Sequence, residues 1–162
     1  MKLEQIYDKT ERKFAEICIK RKQILIHSNR DQDIYEHWDW KITNPKTNQI
    51  SLVDVKGARK KSRSDISPNY DITWLELMNV RGSVGWLKGK ADFIAFEQED
   101  HFLLVKRLDL LNWIKGKITN KEIVRHTNQA LYRWYRRLGR KDIITLVNIS
   151  DIKANVKFWK LA

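Results

Sequence analysis

Asp39, Asp54 and Lys56 are the residues whose types and spacing point to chemistry. Asp39 sits in Trp38-Asp39-Trp40; after a short polar break comes Leu52-Val53-Asp54-Val55-Lys56-Gly57. Side chains alternate across a strand, so Asp54 and Lys56 share one face of any strand that holds both. If the two segments pair as neighbours, both carboxylates can converge on one divalent cation, with the carbonyl of Val55 as a further oxygen. Mg²⁺, or Mn²⁺ in its place, needs only one or two carboxylates besides water and substrate phosphate. Such a cation acidifies water and offsets phosphate charge. Lys56 beside it can orient or deprotonate the water, or neutralise the transition state. Asp39 and Asp54 can instead be surface acids flanking a turn, with Lys56 a solvated strand end. Against this stands the apolar run Ile50, Leu52, Val53 and Val55, in which an unpartnered carboxylate is costly.

The elements that must position these groups follow from periodicity and turn signals. Leu3, Ile6, Phe14 and Ile17 recur at helical spacing, predicting a helix from residue 3 to about 21, closed by Lys20-Arg21-Lys22. A short strand covers Gln23 to His27, a turn Asn29 to Gln32, and a second strand Ile34 to Ile42. Asn44-Pro45-Lys46-Thr47-Asn48 is a turn signal, and Ile50 to Lys56 is the third strand of an antiparallel hairpin. Beyond a polar loop, Asp71 to Asn79 is a fourth strand and Arg81 to Lys90 a glycine-containing connection. Ala91 to Phe96 and Phe102 to Lys106 form a hairpin. Leu108 to Ile114 is a short helix, and Lys121 to Leu138 a longer one closed by Gly139. Asp142 to Asn148 and about Val156 to Trp159 are late strands. The sum is one α+β domain spanning 1–162, with a mostly continuous, mixed central sheet flanked by helices.

A chain of 162 residues with 42% hydrophobic content has enough apolar mass for one folded domain. No apolar run approaches the roughly 20 residues that cross a bilayer, so no membrane partner is expected. The polar start Met1-Lys2-Leu3-Glu4-Gln5 does not read as a signal peptide. The single Cys18 has no internal disulfide partner, which fits a reducing, cytoplasmic setting. The net charge of +12, from 32 basic and 20 acidic residues, favours a polyanionic partner. Seven Trp residues supply core and, in part, stacking surface for bases.

A first helix carrying an inward acid, three strands, Asp on the second and Asp-x-Lys on the third resembles the PD-(D/E)XK nuclease superfamily. Thr10-Glu11-Arg12-Lys13-Phe14 is similar to the helix-one acid segment of archaeal-type Holliday-junction resolvases in that superfamily. The resemblance covers roughly residues 8 to 57. It implies a restriction-endonuclease-like core, Glu11, Asp39, Asp54 and Lys56 as active-site positions, and branched or structured DNA as substrate. Trp38 stands where the motif has Pro, and beyond residue 60 the resolvase pattern is not followed. Helix geometry separates the two acids nearby: at about 100° per residue Glu11 lies about 60° from Phe14, and Glu16 about 160° away, on the solvated side.

Glu76 shares a strand face with Ile72 and Trp74, and as an acid in an apolar strand it needs a partner: a metal ion, Lys56 or an arginine. Asp92 is read as a structural cap. Two basic clusters point to nucleic-acid contact: the loop Arg59, Lys60, Lys61 and Arg63, and Arg133, Arg136 and Arg137, which on a helix would share a broad face with Gln129. Such contacts position a phosphate backbone without reading sequence. The four histidines lack zinc spacing, and Gly82, Gly85 and Gly89 lack the Lys-Ser/Thr ending of a phosphate loop. Cys18 is read as packing. For a homodimer, Trp86 or Trp159 would supply interface surface. The expected function is a Mg²⁺-dependent DNA endonuclease. A non-catalytic basic nucleic-acid-binding protein is the alternative, and an RNA-directed nuclease a third possibility.

Overall fold

In the computed structural model, residues 3, 8–59 and 64–162 are described. Helix α1 (Lys9–Lys20) starts at Asp8, whose carboxylate accepts from the amides of Thr10 and Glu11, and it ends where the sequence predicts. It buries Phe14, Ala15 and Cys18; Phe14 meets Phe102 edge-on at 5.3 Å. Strands β1 (Ile24–His27), β2 (Trp40–Thr43), β3 (Ile50–Lys56), β5 (Phe93–Glu97), β6 (Phe102–Lys106) and β8 (Phe158–Leu161) form a six-stranded sheet in the order β1-β2-β3-β5-β6-β8. All its pairings are antiparallel except β3–β5, so the sheet is mixed. Strands β4 (Ile72–Met78) and β7 (Ile143–Asn148) leave it and pair with each other. Helices α2 (Arg107–Lys117) and α3 (Ile149–Asn155) complete the α+β domain. Among the described residues no helix is long and apolar enough to cross a membrane.

Position 53 to 55 of β3 is buried on both faces, as expected of a strand with a parallel neighbour at the middle of a sheet. Val53 and Val55 pack under α1 with Phe14, Trp40 and Ala95. Leu52 belongs to the opposite layer, with Trp38, Trp86, Ile94 and Phe96. Asp54 and Lys56 therefore emerge on the face that looks toward the small β4–β7 sheet.

Three expectations are corrected. The second strand begins at Trp40, not Ile34, because Asn29 and Gln32 exchange side-chain-to-amide hydrogen bonds at 2.9 Å each. This reciprocal cap starts a helical turn that continues as the π-helical Gln32–Glu36 and is broken by His37 at a φ of 56°. The central sheet is interrupted as well, since β4 and β7 stand apart from it.

The predicted helix Lys121 to Leu138 does not form. Only Thr127–Gln129 makes a 3₁₀ turn, and Tyr132 takes a φ of 52°. Val124 bridges Tyr135, Leu131 bridges Leu146, and Tyr135 bridges Ile144. The segment is laid along β7, where Ala130, Trp134 and Tyr135 are buried, while Leu138 is 97% exposed. Tyr132 fastens it by donating to Asp151 and accepting from the amide of Asn148. Burial, followed by that bond to Asp151, pushes the Tyr132 phenol up to about 12. Helix α3 was not foreseen, and β8 runs to Leu161.

Candidate active site

The hairpin register sets the geometry. The amide of Asp39 donates to the Val53 carbonyl at 2.9 Å, one residue before Trp40 pairs with Val53. Its Oδ2 then accepts from the Val55 amide at 2.6 Å. Asp39 is thus held against β3 by main chain on one side and by its own carboxylate on the other. Asp54 Oδ1 accepts from Lys56 Nζ at 2.8 Å, as expected of two residues on one strand face. Asp39 and Asp54 are 7% and 3% exposed. Neither is a solvated turn acid, so the surface alternative is rejected. The three residues, with Val55, line a cavity of about 310 Å³ that also includes Glu11 and Arg59.

The electrostatics are those of an acceptor cluster short of positive charge. Burial, then the charge of the neighbouring Asp54, pushes the Asp39 carboxyl up to about 8. Burial also raises Asp54, against the pull of Lys56. For Lys56, burial favours the neutral amine, but Asp54 and Asp39 outweigh it and raise the ammonium above its ordinary range. Asp54 Oδ2 is buried with no hydrogen-bond partner. A buried orphan oxygen beside a second carboxylate suits a divalent cation, which needs hard oxygen ligands. Among the described residues no third His, Cys, Asp or Glu joins the pair in a metal-holding group.

Glu11 lines the same cavity, while Glu16 is exposed, in line with the helix geometry. Glu11 Oε2 is 2.8 Å from His27 Nε2, and His27 Nδ1 donates to the Ser28 carbonyl at 2.9 Å. A carbonyl only accepts, so Nδ1 carries a proton, and the contact between Nε2 and Glu11 must hold another. Burial, then the charge of Asp39, raises the Glu11 carboxyl. His27 was missed in the sequence, because its lone position on β1 carried no metal spacing.

Glu76 does not line the acidic cavity. It lies in a neighbouring cleft of about 960 Å³, together with Lys56, Arg59, Trp74, Trp86, Tyr135 and Arg137. The two hollows share His37, Lys56, Gly57, Ala58 and Arg59, so the segment after β3, together with His37, forms their common border. Trp86, expected at an interface, is 7% exposed and sits under Lys56 Nζ at 5.0 Å from its ring centre. Gly85 permits this: a Cβ there would come within 2.7 Å of the Glu76 carbonyl. Glu97, also missed, accepts from the Ala58 amide at 3.2 Å and from Lys13 at 3.3 Å, tying the border segment to α1.

Of the basic residues, Arg59 borders both hollows, and Lys60, Lys61 and Arg63 lie outside the described residues. Arg133, Arg136 and Arg137 do not share a helix face, since there is no helix. Arg133 contacts Glu122 at 3.4 Å, and Arg136 donates to the Asp142 carbonyl at 3.4 Å. Arg137 donates from Nε to Asp142 Oδ2 at 2.6 Å, neutralising a fully buried carboxylate, and still lines the large cleft. Asp92 Oδ2 accepts from the Leu52 amide at 2.8 Å, a structural role as expected, and Cys18 is buried. Compared with family models, curated proteins and solved structures, the chain matches none.

Proposed function

We propose that the chain is a Mg²⁺-dependent endonuclease, with Mn²⁺ as a substitute, that hydrolyses phosphodiester bonds of DNA on the plan of the PD-(D/E)XK superfamily and its restriction-endonuclease-like core. One observation carries it: two buried carboxylates lining one cavity, one of them bonded to Lys56, with a basic border. Asp39 and Asp54 would hold the cation, with the Val55 carbonyl as a third oxygen. The cation would supply Lewis acidity toward water and charge compensation at the phosphate. Lys56, an ammonium bonded to Asp54, is placed to donate to a phosphate oxygen and offset its developing charge, rather than to take a proton. Glu11, bonded to His27, lines the same cavity and would add its carboxylate to the acidic wall. Arg59, on the rim of the same cavity, would add a second cation for the DNA backbone beside Lys56. Branched or structured DNA is the proposed substrate, on the resemblance of the helix-one segment to junction resolvases.

The test is cleavage of supercoiled and four-way-junction DNA in Mg²⁺ and in EDTA, with wild type, Asp54→Asn and Lys56→Ala. Cutting in Mg²⁺ that both substitutions abolish supports the site. Equal cutting by all three proteins rejects it. No cutting by wild type, with salt-sensitive binding retained, leaves a basic nucleic-acid-binding protein.

A further inference from the structure

The large cleft has a wall that hydrolysis does not use. Trp74 and Glu76 stand two residues apart on β4 and face it together, opposite Leu146 and Ile144 of β7. Trp74 is half-buried, with Tyr135 at 6.0 Å and tilted by 37°. The volume of about 960 Å³ is that of a site for a small organic ligand. Glu76 has no hydrogen bond or ion pair among the described residues, and Lys56, whose charge it meets, is already bonded to Asp54. An acceptor-only carboxylate thus stands beside an indole, in a basic cleft that shares a border with the acidic cavity.

We propose that this cleft seats one unpaired guanine, stacked on Trp74 with its Watson–Crick edge on Glu76. An ionised carboxylate accepts and cannot donate. Guanine alone among the DNA bases presents two adjacent donors on that edge, N1–H and the N2 amine, which a carboxylate can take in a bidentate, charge-assisted pair. Adenine, cytosine and thymine each put acceptors beside a single donor group, and those would face the carboxylate. In a duplex that edge is occupied by cytosine, so only an unpaired base can enter. Stacking on an aromatic ring holds any base, while Glu76 selects. The shared border at Lys56 and Arg59 places the base next to the phosphate held at Asp39 and Asp54. The inference rests on the nucleic-acid reading above and narrows its substrate to strands with an unpaired guanine beside the cut.

Short single-stranded oligothymidylates with one central guanine, adenine or cytosine test it by fluorescence anisotropy in EDTA, where no cutting occurs. Wild type should bind the guanine strand roughly 5- to 150-fold more tightly than the other two, the discrimination of one bidentate pair. Glu76→Ala, which leaves neither acceptor nor donor on that edge, should erase the preference while stacking on Trp74 keeps general affinity. Trp74→Ala should weaken all three strands by roughly 5- to 150-fold. If Trp74→Ala does not melt cooperatively, Trp74→Phe, with a smaller ring, should weaken all three in the same order. Equal binding of the three strands by wild type, or a guanine preference that survives Glu76→Ala, overturns the proposal. Cleavage that depends on Asp54 but ignores an unpaired guanine would leave the hydrolytic reading standing and remove this one. A guanine preference in a protein that cuts nothing would do the reverse.

Discussion

On the large-sheet side of the cleft, Asp39, Asp54 and Lys56 are fixed by backbone register. One carboxylate is bonded to the amide of Val55, and the other emerges from the middle of a strand buried on both faces. On the small-sheet side, Trp74, Tyr135 and Arg137 are placed by a two-stranded ribbon and an irregular segment laid along it, held by isolated bridges and by the bonds of Tyr132 and Arg137. The first wall concentrates charge where solvent is scarce. There a small displacement of a carboxylate changes both its protonation and its grip on a cation. The second wall offers ring surface and a single acceptor, which tolerate more displacement because stacking is broad in geometry. Rigid main chain therefore holds the groups with the steepest energy, and a looser frame holds the surface.

Substitutions on the charged wall should have the largest effects. Asp54→Asn should lower Mg²⁺-dependent cleavage by about a thousandfold or more, since a cation contributes several kcal/mol of charge stabilisation at a phosphate; initial rates on junction DNA measure this. Residual activity near that of wild type would mean that the wall does not bind the ion. Lys56→Ala should cost roughly 2–4 kcal/mol of folding stability in EDTA, somewhat less than a fully buried pair because part of the Lys56 side chain stays in solvent. Urea titration reads it, and saturating Mg²⁺ should restore part of the loss by mass action.

The pH dependence has a definite sign. The folded-state carboxyl of Asp39 is raised to about 8, so it favours the protonated acid more than the unfolded chain does. That contribution is complete below the ordinary carboxyl range and is lost as the pH rises toward 8. In EDTA the melting temperature should therefore fall between about pH 4 and 8. Asp39→Asn should flatten that slope, and Mg²⁺ should reverse it. A melting temperature that rises over this range in EDTA would contradict the charged-wall picture.

The frame of the other wall should respond less. Arg137→Ala strands the carboxylate of Asp142 and should cost about 1–3 kcal/mol by urea titration. Arg137→Lys should recover only part, because a single ammonium lacks the guanidinium fork. On the large sheet but outside the charged cavity, Glu97→Gln, which loses the part-buried pair with Lys13 but keeps an acceptor for Ala58, should change stability by no more than about 1 kcal/mol. A cost for Arg137→Ala larger than that for Lys56→Ala would erase the contrast between the two walls.

What the sequence settled by itself was local. The turn at 44–48, the strand at 50–56 and the two-residue period that puts Asp54 and Lys56 on one face needed no distant contact. Neither did the helical angle that separates Glu11 from Glu16. The turn at Asn29 to Gln32 was legible too, but its helical continuation to Glu36 was not, because the apolar and aromatic residues that follow read as strand. The rest was decided by tertiary contacts. The stretch 121–138 has helical spacing, but it is bridged to β7 at Leu131 and Tyr135, and Trp134 and Tyr135 are buried there. Nothing in β4 marked it for a second sheet. The bonds of Glu11 to His27 and of Tyr132 to Asp151 join elements whose relative placement depends on burial across the whole fold. Periodicity fixes which face a residue occupies within an element, and only the packing of elements fixes what that face meets.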